Sequence, residues 1–581
     1  LIEGDKMYKK FYWFLKYYKN KLILAITFLL LSDLVGLIPP YMTGKLTDRV
    51  LNNSIELKPF LIILLIDILV IGIKYFFAMG WCYYTFRASN EIDYVTRNRL
   101  MDKYLNESMK YFQTFKTGEL MNRATGDVNS LSDLMGFGTL TFFDSTVFPL
   151  FIIIIMMVVV DVRLTLVSII PLPILAFLCL KIGKKIHEKY SIVQSTFDKL
   201  NNSVLEDVEG IRIIRVFGIK DARYFSFQNR SKMLVQKNMD VVKYRAMMAP
   251  FQRIIPAITF VIAIGYGTFL ISKNQISVGQ LVSFTYYLNM LIWPMYALGN
   301  FINVYQQADA SMDRIDNILD YEDDLDLNED YKEIDDIESI KFENYSFKYP
   351  YSKEFALKDI SFEFKKNMRV AIVGKTGSGK STILKQLLFL YPRQDEFEIN
   401  GKYTNLINLR SARDNMAYVS QKSMIFSDTI KNNIKLSKIE ATDEEVVKVS
   451  KSADIYKDIV NFPDEFDTLC GENGLSLSGG QKQRISLARA LLKDSNLVVL
   501  DDCLSALDTQ TEKNILRELK KLKKTVILST HRLNQIDDFD LIIVMKDGQI
   551  SEMGTHSELM ENKQWYYNQY NIQLVRGRYE E

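Results

Sequence analysis

Cysteine and histidine are scarce in this chain, with four and three among 581 residues. Cys82, Cys179, Cys470 and Cys503 have no metal-ligand spacing, and His187, His531 and His556 form no local cluster. A structural metal or a disulfide framework is therefore not expected, and Cys470 and Cys503 should face a reducing cytosol. Charge of one sign is lacking too. Lys and Arg number 72 against 70 Asp and Glu, a net charge of +2, so the bulk signature of a nucleic-acid binder is missing. No cleavable leader is visible, because the first apolar run is too long and has no small-residue cleavage site. Met7 reads as a native start, with residues 1–6 an appended remnant outside the fold argument.

What the chain has in quantity is long apolar runs, which fill its first half, and 48% hydrophobic residues overall. Its length favours two or more domains. Six stretches meet the length of roughly 20 apolar residues that a bilayer core demands: about 22–45, 59–86, 137–160, 164–182, 248–272 and 278–304. Lys6, Lys9, Lys10, Lys16, Lys19 and Lys21 crowd the segment before the first of them. Tyr8, Phe11, Tyr12, Trp13, Tyr17 and Tyr18 interleave with these lysines. That mixture suits a helix lying in the cytoplasmic interface over residues 1–21, the alternative being a soluble amphipathic helix. Connections after the first, third and fifth stretches are short, and those after the second and fourth are long, charged and helical in pattern. A cytoplasmic N-terminus then places both long connections and the C-terminal half in the cytoplasm. The expected division is a transmembrane domain over 22–320, an acidic linker over 321–337 and a soluble α/β domain over 338–581. Glu322–Glu338 holds ten acids and one lysine, which cannot bury a core.

The soluble half carries the chemistry. Ala371–Val373 reads as the end of a buried strand, followed at once by Gly374, Lys375, Thr376, Gly377, Ser378, Gly379, Lys380 and Ser381, then by a helix predicted over Thr382–Leu390. This is G-x-x-x-x-G-K-S between strand and helix. Its glycines let successive backbone amides curl around phosphate oxygens, and the helix start adds its positive dipole end. Lys380 is expected to reach the β/γ-phosphates and Ser381 to hold Mg²⁺. About 120 residues later, Leu497–Leu500 reads as a buried parallel strand ending in Asp501 and Asp502. A carboxylate at that strand end supplies the metal partner such a loop requires, so ATP with Mg²⁺ is the expected ligand.

Leu477–Ser478–Gly479–Gly480–Gln481 then makes the resemblance specific: it is similar to the LSGGQ signature of the ATP-binding-cassette family. The resemblance implies further roles. Tyr349 would stack on adenine, Gln421 would sense Mg²⁺ and the attacking water, and Gly471–Gly474 would touch the membrane domain. Ser505–Asp508 resembles the D-loop, and His531 the histidine that contacts the γ-phosphate. Thr382 would complete the phosphate loop, and Ser478, Gly479, Gly480 and Gln481 would bind nucleotide held by a second chain. Six spans ahead of one cassette resemble the bacterial multidrug-exporter half-transporters, implying a cytoplasmic-membrane location and head-to-tail cassettes sharing two ATP sites. The long connections would end in coupling helices near Tyr111–Gly118 and near Gly210–Ala222.

One position departs from that pattern. The residue after the metal-binding Asp501 is usually glutamate in the family, and here it is Asp502. Its arm is shorter by one methylene, so a slow site is expected at this chain's own motifs. The partner half would then differ from it and carry the glutamate. The alternative is a homodimer that uses Asp502 as base. Within the spans, Asp33, Asp67 and Asp144 either line a cavity for cationic amphipathic substrates or pair with polar groups on neighbouring helices. Phe284, Tyr286, Tyr287, Trp293 and Tyr296 around Pro294 either pack helices or line such a cavity. A lipid or peptide exporter, and an ATP-switched regulatory subunit, are rival readings of the same architecture.

Overall fold

The computed structural model describes residues 2–52, 57–322, 331–392 and 396–580. It forms two units, Leu1–Leu105 with Thr117–Tyr321, and Asn106–Lys116 with Glu322–Glu581. The acidic linker expected over 321–337 falls in part, at 323–330, outside the described residues.

The first unit is helical throughout. Five of its described stretches are long and apolar enough to cross a membrane: Lys16–Leu51, Phe60–Asn106, Thr117–Val160, Val162–Glu209 and Lys220–Ser272. They contain the first five expected spans. The sixth, 278–304, occurs as two helices, Val278–Met290 and Ile292–Leu319. Pro294 has no amide to give the carbonyl of Met290, so the ladder is interrupted there. No helix break marks the expected boundary at residue 21. Ile2–Gly36 runs as one helix, and the break falls instead at Leu37, where Pro39 and Pro40 start the helix Ile38–Leu51. Three π-helical turns, Arg123–Asp127, Leu134–Gly138 and Met156–Val160, interrupt the third stretch.

The second unit is built on two sheets. Its strands are β1 (Ser339–Phe347), β2 (Leu357–Lys365), β3 (Arg369–Gly374), β4 (Glu398–Ile399), β5 (Lys402–Tyr403), β6 (Met416–Val419), β7 (Leu497–Asp501), β8 (Thr525–Thr530), β9 (Leu541–Lys546) and β10 (Gln549–Gly554). The antiparallel sheet has the order β2-β1-β4-β5 and the larger one β10-β9-β3-β8-β7-β6. In the larger sheet β6, β7, β8, β3 and β9 are parallel neighbours. β7 and β8 are buried at every position, as strands covered on both faces must be. That burial explains the apolar runs read from the sequence. The C-terminal ends of β3, β7 and β8 therefore open on one edge, where ligands bind in open parallel sheets.

At one end of the helical unit, Ile38–Leu51 and Val278–Met290 touch backbone to backbone. A Cβ on Gly279 would lie 2.0 Å from the Gly44 carbonyl oxygen, and one on Gly44 would lie 2.4 Å from that of Gly279. Asp48 accepts from the Gly279 amide at 2.7 Å and from Ser277 Oγ at 2.5 Å. Ser283 Oγ and Tyr287 OH donate to the carbonyls of Pro40 and Leu37, both at 2.8 Å. Gly279→Ala should therefore destabilise this unit by about 3 kcal/mol, the upper range for overpacking. Asp48→Asn should cost about 1.5–3 kcal/mol, the worth of a hydrogen bond to a charged group. Both are expected to lower the melting temperature in detergent, and an unchanged melting curve for Gly279→Ala would contradict the close contact.

Candidate functional site

The loop after β3 owes its shape to three glycines with positive φ, Gly374 (146°), Gly377 (82°) and Gly379 (104°). Gly374 is constrained by space as well, since a Cβ there would lie 2.2 Å from the Met545 carbonyl oxygen on β9. Lys380 opens the helix Lys380–Leu387, two residues earlier than the sequence suggested. Its Nζ donates to the carbonyls of Gly374 and Lys375, each at 2.9 Å, so the ammonium lies across the loop. Burial depresses its pKa, opposed by Asp502 and Asp501. Ser381 Oγ donates to Asp501 Oδ1 at 2.7 Å, and Ser529 Oγ donates to the same oxygen at 3.1 Å.

Asp502 follows β7 with left-handed backbone (φ 47°), a conformation that aspartate tolerates better than most residues. Its Oδ2 accepts from Gln421 Nε2 at 3.1 Å, while Oδ1 is buried without a hydrogen-bond partner. Burial raises the pKa of Asp502, opposed by His531, Gln421 and Lys380. Burial and then Lys380 lower that of His531. Tyr349 OH lies 3.1 Å from Thr382 Oγ1, and its ring stands edge-on to Phe347 and Tyr391 with centroids 5.1 Å away.

These groups surround one cleft of about 750 Å³. Tyr349, Thr376 to Thr382, Gln421, Asp502 and His531 line it. Ser529, Glu354, Lys358, Asp547 and Gly548 also line it and were missed by sequence reasoning. Ser529 lies near the end of β8, and Asp547 and Gly548 follow β9, strands that adjoin β3 only in the fold. Glu354 and Lys358 come from the loop before β2 and from β2 itself, and no local motif marks any of them. Ser478–Gln481 does not line the cleft. Ser478 caps the helix Gly479–Leu492 through a reciprocal pair with Gln481, an arrangement legible as S-x-x-Q. Ser478 and Gly479 are exposed at the start of that helix. The first expected coupling segment, near Tyr111–Gly118, overlaps the helix Met109–Thr114, which groups with the second unit. There the Met109 amide donates to the Leu390 carbonyl at 2.9 Å, and Gln113 Nε2 to Tyr391 OH at 2.7 Å. The second, Ile211–Val216, buries none of its residues in the described chain.

The cleft fits a magnesium nucleotide. Ser378 Oγ is buried with no partner beside the loop glycines, and the Ser381–Asp501–Gln421 donors are hard oxygens, the kind Mg²⁺ prefers. A glycine-rich loop after a parallel strand, backed by a strand-end aspartate, defines a P-loop ATPase, here fused to a unit with membrane-spanning helices.

Residues 22–295 match the ABC transporter transmembrane region and residues 357–505 match the ABC transporter family. Over 570 residues the chain is 38% identical to the "Probable multidrug resistance ABC transporter ATP-binding/permease protein YheI" of Bacillus subtilis, covering 98% of this chain and 97% of that protein. It is 31% identical over 576 residues to the "Multidrug resistance-like ATP-binding protein MdlA" of Escherichia coli, with 98% and 97% covered. A solved bacterial Atm1-family ABC exporter with ATP bound shares the fold, with TM-score 0.79 and 24% identity over 96% of this chain and 98% of that one. The chain belongs to the ABC transporter family. It is a membrane protein whose cassette binds ATP and whose ATPase activity is coupled to transport.

Base–aromatic stacking is worth about 1–3 kcal/mol. If Tyr349 takes the stacking role that the resemblance implies, Tyr349→Ala should weaken binding of a fluorescent ATP analogue by about 5- to 150-fold. Tyr349→Phe, which keeps the ring and loses only the bond to Thr382, should stay within about threefold.

Proposed function

We propose that this chain is one half of an ATP-driven exporter of amphipathic, cationic substrates, pairing with a different half-transporter and turning ATP over slowly at its own motifs. The observation that carries this reading is Asp502, whose short carboxylate is tethered to Gln421 at 3.1 Å. On this reading Ser381, Asp501 and Gln421 hold Mg²⁺, which when bound neutralises charge developing on the phosphoryl oxygens. Gly374 to Thr382 and Lys380 cradle the phosphates, and Tyr349 stacks on the base. Asp502 and His531 orient the attacking water. Its oxygen bonds to the terminal phosphorus as the bond to ADP breaks, and its proton passes to a carboxylate or phosphate oxygen. A glutamate would carry its carboxylate ~1.5 Å farther. Misplacing a catalytic group by about 1 Å costs roughly 100-fold in rate, or ~2.7 kcal/mol of barrier. The signature, Ser478 to Gln481, exposed at Ser478 and Gly479, would close over nucleotide held by the partner half.

The membrane unit supports the cargo class in part. Asp144 Oδ2 accepts from Trp293 Nε1 at 2.7 Å, so this carboxylate is engaged between helices. Asp33 Oδ2 is buried without a hydrogen-bond partner, within electrostatic reach of Asp144 and Lys74. That imbalance favours a cation. Among the aromatics of the sixth stretch, Phe284 and Tyr287 are fully buried and pack helices. Tyr286 and Trp293 are exposed. Six membrane passages, with Val278–Met290 and Ile292–Leu319 sharing the last, and a cytoplasmic N-terminus complete the reading.

Steady-state ATP turnover by the purified chain tests it, beside Asp502→Glu and Asp502→Asn, with fluorescent-ATP binding as the folding control. Wild type should bind ATP and hydrolyse it slowly, Asp502→Glu should raise turnover up to about 100-fold, and Asp502→Asn should lower the little turnover that remains without weakening ATP binding. Brisk wild-type turnover abolished by Asp502→Asn would overturn the asymmetric pairing in favour of a homodimer.

A further inference from the structure

A second cavity, of about 820 Å³, lies wholly within the helical unit, between the first helix and the segments that carry Phe142 and Phe301. The nucleotide chemistry does not use it. Tyr12, Lys16, Lys19, Ile23 and Ile26 all line it. Their spacing of 4, 3, 4 and 3 residues puts them on one stripe of the continuous helix Ile2–Gly36. That stripe starts with an aromatic ring and two cations and turns purely apolar after Lys19. From Lys19 to Ile26 the helix rises about 10 Å. The facing wall is aromatic, with Phe142 and Phe301 in contact at 5.2 Å between ring centroids and Phe143 beside them at 5.3 Å.

The base of the cavity is the π-helical turn Leu134–Gly138. Such turns are frequent at functional sites. Gly138 keeps the turn slim there: a Cβ would lie 2.9 Å from Leu134 Cδ1 and 3.3 Å from Val304 Cγ1, so those side chains would have to shift. No acidic side chain is among the described residues lining the cavity. Lys16 and Lys19 are exposed and have no acidic partner among the described residues. Two unneutralised cations above an apolar, aromatic-walled slot complement an anionic head on a hydrocarbon tail. They also repel the cationic cargo proposed above, which separates this groove from the transport route.

We propose that this groove binds an anionic diacyl glycerophospholipid, its phosphate between Lys16 and Lys19 and one acyl chain along Ile23 and Ile26 against the phenylalanine wall. Assigning the lipid to the cytoplasmic leaflet rests on the N-terminal orientation read above, and binding itself does not depend on it.

The test is native mass spectrometry of the delipidated full-length chain, titrated with phosphatidylglycerol, with phosphatidylcholine of the same acyl chains, and with inorganic phosphate as competitor. Two lysines near an anionic group are worth enough for phosphatidylglycerol to bind at least about tenfold more tightly than phosphatidylcholine. Lys16→Gln with Lys19→Gln should bring it to the phosphatidylcholine level. Ile23→Trp, which fills the slot, should weaken both lipids, and inorganic phosphate should not compete. Fluorescent-ATP binding certifies that each variant is folded. As a measurement independent of the lysine variants, a photo-crosslinking side chain at Ile23 should capture lipid. Equal affinity for the two lipids, or a preference that survives loss of both lysines, overturns the proposal. Competition by free phosphate makes this a phosphate site, and capture of a second protein chain at Ile23 makes it a subunit interface; either result also overturns it.

Discussion

One side chain joins the parts of the cassette on which the rest of the site depends. Asp501 ends β7 and accepts from Ser381, at the start of the helix after the phosphate loop, and from Ser529 on β8. Loop, helix and two strands are thereby fixed to one carboxylate that is itself 2% exposed. A buried carboxylate is costly unless hydrogen-bonded, and here two hydroxyls meet that need. Those bonds constrain the loop from its far end. From its near end the loop is constrained at Gly374, where the approach to Met545 on β9 leaves no room for a side chain. Between these two points the backbone has little freedom, and its amides are preorganised for an anion.

The helical unit obtains a rigid end by a related route. Gly44 and Gly279 let two helices approach backbone to backbone, and Asp48 receives the amide and hydroxyl at the start of the second. Small residues at a helix contact with polar groups bonded across it are how helices associate where water cannot drive them together. The capping box of Ser277 and Gln280 supplies the local half of this arrangement. Gln280 reaches further, donating to the Val159 carbonyl at 3.0 Å, so a third helical segment is tied to the same end.

What could be read in advance follows from the range of the forces involved. The phosphate loop with its helix and the strand before Asp501 are local patterns, and each stands in the structure within a few residues of its expected bounds. The breaks at Leu37 and Leu291 follow from prolines that were visible, but whether a proline kinks or ends a helix depends on what packs around it. The π-helical turns at Arg123–Asp127 and Leu134–Gly138 have no sequence signal, because an inserted residue is tolerated only where tertiary contacts take it up. In the cleft, Tyr349, Lys380, Gln421, Asp502 and His531 were found by motif. Ser529, Asp547 and Gly548 were not, since β8 and the β9–β10 turn reach the loop only through sheet order. Pairing across helices was one of the two readings open for Asp144, but its partner, Trp293, lies 149 positions away and had no local signal.

The position of Asp502 separates holding a nucleotide from consuming it. The elements proposed to bind ATP are the glycine loop, Lys380, the Ser381–Asp501 pair and the Tyr349 ring, and none of them uses the Asp502 carboxylate. Its hydrogen bond goes to Gln421. Only interactions stronger in the transition state than in the ground state change the chemical rate, and the proposed contact between Asp502 and the attacking water is of that kind. On the proposed reading, shortening the side chain at this one position would lower turnover while leaving affinity nearly intact. A cassette with these properties would stay loaded, and the exposed start of its signature helix, at Ser478 and Gly479, would remain available to a second cassette. Unequal carboxylates in two halves would then give one site that mainly holds and one that mainly hydrolyses, from a difference of a single methylene.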